Sequence, residues 1–265
     1  MSSPASRGTA VVTGASSGIG LEIARLLAAD RYDLLLVARR EARLQEVASL
    51  LARDFGVEVT ALASDLAAPD GVRRVLDEIA RKGSTVDVLV NNAGFGVYGP
   101  FAGSNPGETL EMIRVNVVAL TELTQGIVPT MAARRSGRIL NVASTAAFQP
   151  GPLMAVYYAT KAYVLSFSEA LANELSGSGV TVTALCPGPT RTSFQERAGL
   201  EKSRVFAGPL VGDARSVARA GYRGMRRGRR VVIPGMANKV MVQALRISPR
   251  RLVTAIARRI QESKT

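Results

Sequence analysis

Short apolar runs alternate with longer stretches of helical periodicity along most of the chain. The apolar runs are rich in β-branched residues and almost continuous, as in strands buried on both faces of a parallel sheet. We expect strands at Thr9–Thr13, Asp33–Ala38, Glu58–Leu62, Val86–Val90, Arg138–Val142, Val180–Leu185 and Arg230–Ile233. Between them, the pattern predicts helices at Gly20–Ala29, Ala42–Asp54, Gly71–Arg81, Gly107–Met131 and Val156–Leu175.

This alternation predicts the fold class, because strand–helix–strand units form right-handed crossovers between parallel strands. We expect a doubly wound α/β fold with a mostly parallel, seven-stranded sheet and helices on both faces. The sequence shows no linker or repeat, so residues 1–265 are predicted to form a single domain. A basic helical extension is expected from about residue 236 to residue 265.

Composition favours a cytoplasmic protein. Hydrophobic residues make up 47% of the chain, but no apolar run approaches the roughly 18–20 residues that span a bilayer. The N-terminal sequence MSSPASRG lacks the apolar segment of a signal peptide. The single cysteine, Cys186, stands in an apolar run and is interpreted as a buried strand residue rather than a nucleophile.

The sequence contains no histidine, which excludes several classes of catalyst. Ser-His-Asp and Cys-His mechanisms need an imidazole, and so do histidine-bound metal sites. We therefore expect no metal centre. Any acid–base chemistry must use Tyr, Lys, Asp, Glu or a chain of waters.

A glycine-rich turn joins the first predicted strand to the first helix. Its sequence is TGASSGIG, from Thr13 to Gly20. Glycines let the backbone approach a pyrophosphate, which the N–H groups and dipole of a helix N-terminus attract. The alternative is that they serve turn geometry only. The expected dinucleotide contacts are Gly14, Ser16, Ser17, Gly18, Ile19 and Gly20.

Two arginines, Arg39 and Arg40, follow the second strand, where an acidic residue would bind the ribose hydroxyls of NAD. A guanidinium suits a phosphate, and a missing carboxylate removes repulsion against one. The pair therefore favours NADP(H) over NAD(H), although it could also be two solvated loop charges.

Two further strand ends carry candidate cofactor residues. Asp65 and Leu66 follow the third strand, in position to meet an adenine ring. Small residues after the fourth strand would let backbone lie against the cofactor; the expected contacts are Asn92, Ala93 and Gly94.

Tyr157 and Lys161 are four residues apart on a predicted helix, so they share one face. That spacing alone carries little weight, since many helices contain it. Tyr158 is followed four residues later by Ala162 rather than lysine, so we interpret it as a packing or lining residue.

Taken together, the ordered motifs resemble those of the short-chain dehydrogenase/reductase family over roughly residues 8–192. The matching segments are Thr13–Gly20, Asn91–Gly94, Asn116, Ser144, Tyr157–Lys161 and Pro187–Gly188. The resemblance implies a Rossmann-type fold and an NADP(H)-dependent oxidoreductase. Such an enzyme would transfer a hydride between nicotinamide and a carbonyl or secondary alcohol.

The resemblance also implies roles for individual residues. Tyr157 would be the general acid and base, and the Lys161 ammonium would lower its pKa and hold the nicotinamide ribose. Ser144 would hydrogen-bond the substrate oxygen, and Asn116 would bind a water that connects Lys161 to solvent. Four residues would lie against the nicotinamide: Pro187, Gly188, Thr190 and Thr192.

The substrate is predicted to be a hydrophobic ketone, a 3-oxoacyl thioester or a steroid-like compound. The candidate lining residues are Phe194, Leu200, Val205, Phe206, Leu210, Met236 and Met241. The resemblance further implies a homodimer or homotetramer. The rival interpretation is a non-catalytic NADP-binding sensor or scaffold, but Ser144, Tyr157 and Lys161 would be of no use to a pure binder.

Basic residues are concentrated in the C-terminal quarter. From Arg197 onward there are 17 Lys/Arg and 3 Asp/Glu, in a chain of net charge +13. One helix pattern carries Leu252, Val253, Ile256 and Ile260 on one side. It could pack on the body with its arginines in solvent, or contact anionic lipids at the inner face of the membrane. Nucleic-acid binding is not expected, since no aromatic residues interleave with the arginines.

Overall fold

Seven parallel strands form one sheet in the computed structural model, which describes residues 6–192, 194–199 and 211–262. The strands are β1 (Thr9–Thr13), β2 (Asp33–Ala38), β3 (Val59–Ala63), β4 (Val86–Asn91), β5 (Gly137–Val142), β6 (Val180–Leu185) and β9 (Val231–Val232). They run in the order β3-β2-β1-β4-β5-β6-β9. Two short strands, β7 (Thr190–Arg191) and β8 (Gly212–Asp213), pair separately. The predicted fold class is confirmed.

Helices connect the strands on both faces of the sheet. They are α1 (Gly18–Ala29), α2 (Glu41–Phe55), α3 (Gly71–Arg81), α4 (Pro106–Ile113), α5 (Leu120–Ala133), α6 (Ala155–Glu174), α7 (Phe194–Arg197), α8 (Ala214–Arg226), α9 (Met236–Ile247) and α10 (Arg250–Gln261). The single helix expected over residues 107–131 is divided by a π-helical segment, Arg114–Ala119. The wider turn of a π-helix often marks a functional site, and this one contains Asn116.

Each face of the sheet is sealed by its own apolar cluster. On β1, Ala10 and Val12 pack with the cluster that contains Ile23 of α1, whereas Val11 packs with the cluster of Leu123 on α5. With both faces covered, ligands must bind at an edge. In open parallel sheets, that place is the carboxyl edge where the strand order reverses. Here β1 lies between β2 and β4, so the reversal lies at the carboxyl end of β1.

The side of α10 that packs on the body differs from the expected one. Its buried residues are Val253, Ala257 and Gln261, whereas Leu252, Ile256 and Ile260 are each at least half exposed. Both sets repeat every four residues, and one residue of offset turns a helix by about 100°. Of the four residues expected on one side, only Val253 therefore lies on the packed side, and Leu252, Ile256 and Ile260 face solvent. No helix in the described part of the chain could cross a membrane.

Candidate active site

One cavity of about 960 Å³ lies at the carboxyl edge of the sheet. Every residue predicted to bind cofactor or take part in catalysis lines this cavity, except Gly20 and Asn116. Those two lie directly behind its wall and support residues that do line it. Positions from residue 14 to residue 192 thus converge on one site.

The turn after β1 has a backbone that only glycine accommodates well. Gly14 has a φ of +65°, and a Cβ added there would lie 2.6 Å from Asn92 Nδ2. A Cβ on Gly20 would lie 2.5 Å from the carbonyl oxygen of Gly14. Gly20 therefore lets α1 approach the turn rather than contacting the cavity itself.

Hydrogen bonds tie the carboxyl ends of β1 and β4 together beneath this turn. The Asn92 amide donates to the carbonyl oxygens of Thr13, at 2.9 Å, and Gly14, at 3.1 Å. In return, the Thr13 hydroxyl accepts from the backbone N–H groups of Asn92 and Ala93, each at 3.0 Å. The floor of the cavity is thus fixed by paired polar groups.

The N-terminus of α1 faces the cavity, whose lining includes Ser16 and Ser17, just before the helix, and Gly18 and Ile19, its first two residues. The positive end of the helix dipole therefore points at the cavity, which favours an anion such as a phosphate. Thr192 closes the opposite side, since its Cγ2 lies 3.0 Å from where a Gly18 Cβ would be.

Two other strand ends complete the nucleotide half of the cavity. Arg39 and Arg40 follow β2 and line it. Beyond β3, Leu66 is buried and Asp65 is exposed, with Asp65 Oδ1 accepting from the Ala67 N–H at 3.0 Å. The structure thus brings these four predicted cofactor residues together in the lining of one cavity.

Tyr157, on α6, and Ser144, just after β5, meet in the centre of the cavity. Both side chains line the cavity. The Ser144 oxygen accepts from the Ala146 N–H at 3.1 Å, which holds it in place. Burial raises the pKa of Tyr157, and the nearby Ser144 hydroxyl lowers it by less. The direction is opposite to the lowering that the family resemblance implied.

Lys161 lies one helical turn beyond Tyr157 and is buried. Its Nζ donates to the carbonyl oxygen of Val142 at 2.8 Å and lies 5.8 Å from the centre of the Tyr157 ring. Burial lowers the pKa of Lys161 to about 8. The ammonium is thus hydrogen-bonded to the strand end, and burial is the dominant effect on the pKa of Tyr157.

Asn116 connects the loop after β4 to the helix that carries Tyr157. Its Nδ2 donates to the Phe95 carbonyl at 2.9 Å and to the Thr160 hydroxyl at 3.1 Å, while its Oδ1 accepts from the Phe95 N–H at 3.1 Å. Thr160 in turn donates to the Tyr157 carbonyl at 2.7 Å. Asn116 therefore holds the strand-end loop against α6.

Pro187 and Gly188 follow β6 and line the cavity beside Ser144. The Thr190 hydroxyl donates to the Gly188 carbonyl at 2.9 Å, which fixes this turn. A Cβ on Gly188 would lie 2.7 Å from the side-chain amide of Asn238. The C-terminal region thus reaches the catalytic half of the cavity.

The far end of the cavity is largely apolar. Met154, Phe194, Met241 and Ile260 line it, and the Phe194 ring centre is 5.3 Å from that of Tyr157. Phe194 and Met241 were predicted lining residues, whereas Met236 is 72% exposed and does not line the cavity. The other predicted lining residues, Leu200, Val205, Phe206 and Leu210, lie outside the described residues.

Gln261 is a residue of this region that the sequence did not reveal. Its Nε2 donates to Tyr158 Oη at 2.7 Å, and Tyr98 Oη donates to its backbone carbonyl at 2.7 Å. Tyr158 lines the cavity, as predicted, and burial raises its pKa to about 12. The only feature of the sequence that could have indicated this position is the four-residue spacing that puts Gln261 on the same side of the helix as Ala257 and Val253.

Comparisons with known proteins show the family to which the chain belongs. The family model described as short chain dehydrogenase matches residues 8–203. The ketoacyl reductase HetN of Nostoc sp. is 31% identical over 212 residues, which are 77% of this chain and 74% of the relative.

Solved structures of similar proteins cover most of the chain. A short-chain dehydrogenase from Sphingobium yanoikuyae in complex with NADPH is 34% identical, with a TM-score of 0.81 over 92% of this chain and 97% of the other. The bulky-bulky ketone specific alcohol dehydrogenase from Comamonas testosteroni is 30% identical, with a TM-score of 0.78 over 91% and 93%.

Proposed function

Since the chain belongs to the short-chain dehydrogenase family and is therefore an oxidoreductase, we propose that it reduces a hydrophobic ketone, or oxidises the alcohol, with NADP(H). The observation that carries the proposal is that Ser144, Tyr157 and the buried Lys161 line the same cavity, with Lys161 Nζ 5.8 Å from the centre of the Tyr157 ring. In this arrangement a proton donor and a hydroxyl ligand would lie together in the cavity that would hold the cofactor.

The nucleotide half of the cavity fits a dinucleotide phosphate. Gly14 and Gly94 line the cavity with backbone alone, and the α1 N-terminus offers N–H groups for the pyrophosphate. Arg39 and Arg40 would hold the 2′-phosphate, and Asp65 and Leu66 would hold the adenine. When bound, the cofactor supplies or accepts the hydride. The NADPH complex of the Sphingobium relative supports this choice.

The protein's own residues would handle the proton. In reduction, Tyr157 Oη gives its proton to the substrate oxygen, and in oxidation it takes the proton back. Ser144 donates a hydrogen bond to the same oxygen, so that negative charge developing there is stabilised. A nearby Lys161 ammonium favours the phenolate that remains. Asn116 positions Phe95 and Thr160, and would also hold a water that leads from Lys161 to solvent.

The substrate would occupy the apolar end, against Met154, Phe194, Met241 and Ile260. Long or bulky ketones, 3-oxoacyl thioesters and steroid-like ketones all match this lining. The relative from Comamonas testosteroni, a bulky-bulky ketone specific alcohol dehydrogenase, supports the first of these classes.

Oxidation of NADPH and NADH against a panel of hydrophobic ketones and 3-oxoacyl thioesters tests the proposal. We expect turnover with NADPH, a strong preference over NADH, and loss of turnover in Tyr157→Phe. NADPH binding without turnover by any panel member would favour the rival, a non-catalytic sensor or scaffold. Binding of neither cofactor would overturn the assignment of the cavity.

We also propose that the protein acts in the cytoplasm as a homodimer or homotetramer through α5 and α6. Tyr163 on α6 is 38% exposed and stacks on Phe167, and its hydroxyl is 2.9 Å from that of Thr121 on α5. Size-exclusion chromatography with light scattering tests the assembly. A monomer that still turns over substrate would rule it out.

A further inference from the structure

The large apolar side chains that face solvent are concentrated on α9 and α10. Of the eleven in the described part of the chain, seven lie on these two helices. On α9 they include Met236, Val240 and Ile247, exposed by 72%, 62% and 88%. On α10 they are Leu252, Ile256 and Ile260, which form a stripe with a four-residue spacing. Helices packed only on their own protein body direct such stripes inward.

The opposite sides of both helices are fixed to the body. Val242 of α9 is buried, as are Val253 and Ala257 of α10. At the end of α10, the side chain of Gln261 is hydrogen-bonded to Tyr158, which lines the cavity, and its backbone carbonyl to Tyr98. The outward direction of the apolar stripes is therefore set by the packing of the helices.

Cations surround the exposed apolar side chains. Between residues 236 and 262 the chain has six Lys/Arg and one acid, Glu262. In the described structure, Arg258 pairs with Glu262 at 3.0 Å. The other five cations have no salt bridge to any described carboxylate; they are Lys239, Arg246, Arg250, Arg251 and Arg259. The two helices thus present an apolar surface with a strong excess of positive charge.

The exposed apolar surface continues into the substrate cavity. Met241 is 36% exposed and Ile260 is 50% exposed, and both line that cavity. An apolar molecule could therefore pass from the outer surface of α9 and α10 to the catalytic end without crossing a polar rim at these two residues.

The positive charge of this surface decides between two occupants, a second copy of the chain and an anionic bilayer. In a symmetric contact with a second copy, the same patch meets itself, so the unpaired cations would face their own copies. An anionic bilayer offers the opposite charge and an apolar interior. Interfacial helices show this combination of exposed apolar residues and flanking Lys/Arg.

We propose that α9 and α10 dock on an anionic lipid surface, with the mouth of the cavity at the membrane, so that the enzyme takes ketones dissolved in the lipid. The entry route rests on the proposed function, because it takes the cavity as the substrate site. The docking itself does not, and it can be measured without turnover.

Co-sedimentation of the full chain with vesicles tests the docking. We compare phosphatidylcholine vesicles with vesicles that also contain phosphatidylglycerol, at low and high salt. We expect binding to the anionic vesicles only, weakened by salt. Arg250→Gln with Arg251→Gln should lower the partition coefficient about thirtyfold, since each basic residue near the surface contributes about fivefold.

Matched variants distinguish binding through this surface from an effect of the overall charge or hydrophobicity of the protein. Arg53→Gln with Arg81→Gln removes two cations exposed elsewhere and should leave binding almost unchanged. Leu252→Ser should weaken binding, whereas Leu110→Ser, with nearly the same exposure (52% against 54%), should not. None of these side chains lines the cavity.

The entry route is tested by kinetics with two ketones. For a long-chain 2-alkanone dissolved in anionic vesicles, Arg250→Gln with Arg251→Gln should raise KM and leave kcat unchanged. For a short water-soluble ketone, neither constant should change. Equal KM effects on both ketones, or none on the vesicle-dissolved one, would overturn the entry route.

Failure of the docking and failure of the proposed function give different results. No binding to anionic vesicles at low salt, with normal turnover of the water-soluble ketone, overturns the docking alone. A dimer that Leu252→Ser converts to a monomer would identify the surface as a contact between copies of the chain. That result would also overturn the docking on lipid. Vesicle binding without any turnover would instead overturn the proposed enzyme activity.

Discussion

Arg39 Nη1 lies 3.0 Å from Glu111 Oε1, so the arginine proposed to hold the 2′-phosphate is paired with a carboxylate from α4. Both side chains are partly exposed, at 45% and 33%, so the pair contributes at most about 1 kcal/mol. A phosphate, with more charge and more acceptor atoms, can replace the carboxylate. The arginine is thereby positioned beside the cavity before the cofactor arrives.

This pairing leads to a prediction about cofactor preference. Arg39→Ala should raise the Kd for NADPH by about 10- to 100-fold, because it removes charge-assisted hydrogen bonds of about 1.5–3 kcal/mol. The Kd for NADH should hardly change. Glu111→Gln should tighten NADPH binding by up to about fivefold, since it removes the competing charge. Fluorescence titration of the reduced cofactors measures all of these constants.

Arg43→Ala is the matched control for this experiment. Arg43 lies four residues after Arg39, in the first turn of α2. It pairs with Glu46 at 2.6 Å and does not line the cavity. It should leave both dissociation constants unchanged. A similar loss of NADPH and NADH affinity in Arg39→Ala would show that Arg39 does not recognise the phosphate.

Two adjacent tyrosines allow a direct test of the proton donor. Tyr157→Phe should lower kcat by about 10²- to 10⁴-fold, because a positioned general acid contributes about that much. Tyr158→Phe removes the same atom one residue later. It should retain most of kcat, since its hydroxyl binds Gln261 rather than Ser144. NADPH titration should show unchanged cofactor binding in both variants, and equal losses of kcat would contradict the assignment.

Much of the fold and of the nucleotide half of the site could be predicted from the sequence, because both depend on local patterns. Buried parallel strands give almost continuous apolar runs, and β1 and β2 have the predicted bounds. The turn from Thr13 to Gly20 is also local, since its glycines are required by the nearby backbone and by Asn92.

The substrate half depends on contacts that no local pattern records. Gln261 meets Tyr158 across 103 residues of sequence, and α8 to α10 have no motif to identify what they cover. Helical periodicity showed that α10 is amphipathic, but it could not show which side packs. The larger Leu252, Ile256 and Ile260 face solvent. Gln261, which is hydrogen-bonded to Tyr158 and Tyr98, lies on the packed side with Val253 and Ala257.

A pair of glycines tests the close approach at the cofactor turn. Gly14 and Gly83 have φ values of +65° and +60°, so alanine is strained at both, by about 1–2 kcal/mol. Only at Gly14 does a Cβ also collide, at 2.6 Å from Asn92 Nδ2, whereas nothing lies within 4 Å at Gly83. Gly14→Ala should therefore lose more stability and weaken NADPH binding at least about tenfold.

Gly83→Ala should lose only the stability that corresponds to the strained backbone, and it should bind the cofactor as tightly as the wild type. Urea unfolding and NADPH titration of the two variants measure both effects. If Gly14→Ala bound NADPH as the wild type does, the turn after β1 would not be the pyrophosphate site.

The burial of Lys161 predicts how stability depends on pH. Burial lowers the pKa of Lys161 from its ordinary 10.5 to about 8. Below about pH 8 the side chain is charged in both states, and the folded state bears the cost of burying that charge. Between the two pKa values the unfolded chain binds more protons, so the free energy of unfolding gains a contribution that grows with pH. Above pH 10.5, where the lysine is neutral in both states, this contribution to the free energy of unfolding reaches about 3 kcal/mol.

Lys161→Met removes this contribution, and comparing it with the wild type cancels the titration of the buried tyrosines. We expect the variant to be more stable than the wild type near neutral pH, and this advantage to shrink as the pH rises from about 8 to about 10. Urea unfolding without cofactor at a series of pH values measures the difference. A stability difference between Lys161→Met and the wild type that is constant across this range would mean that Lys161 titrates normally in the folded protein.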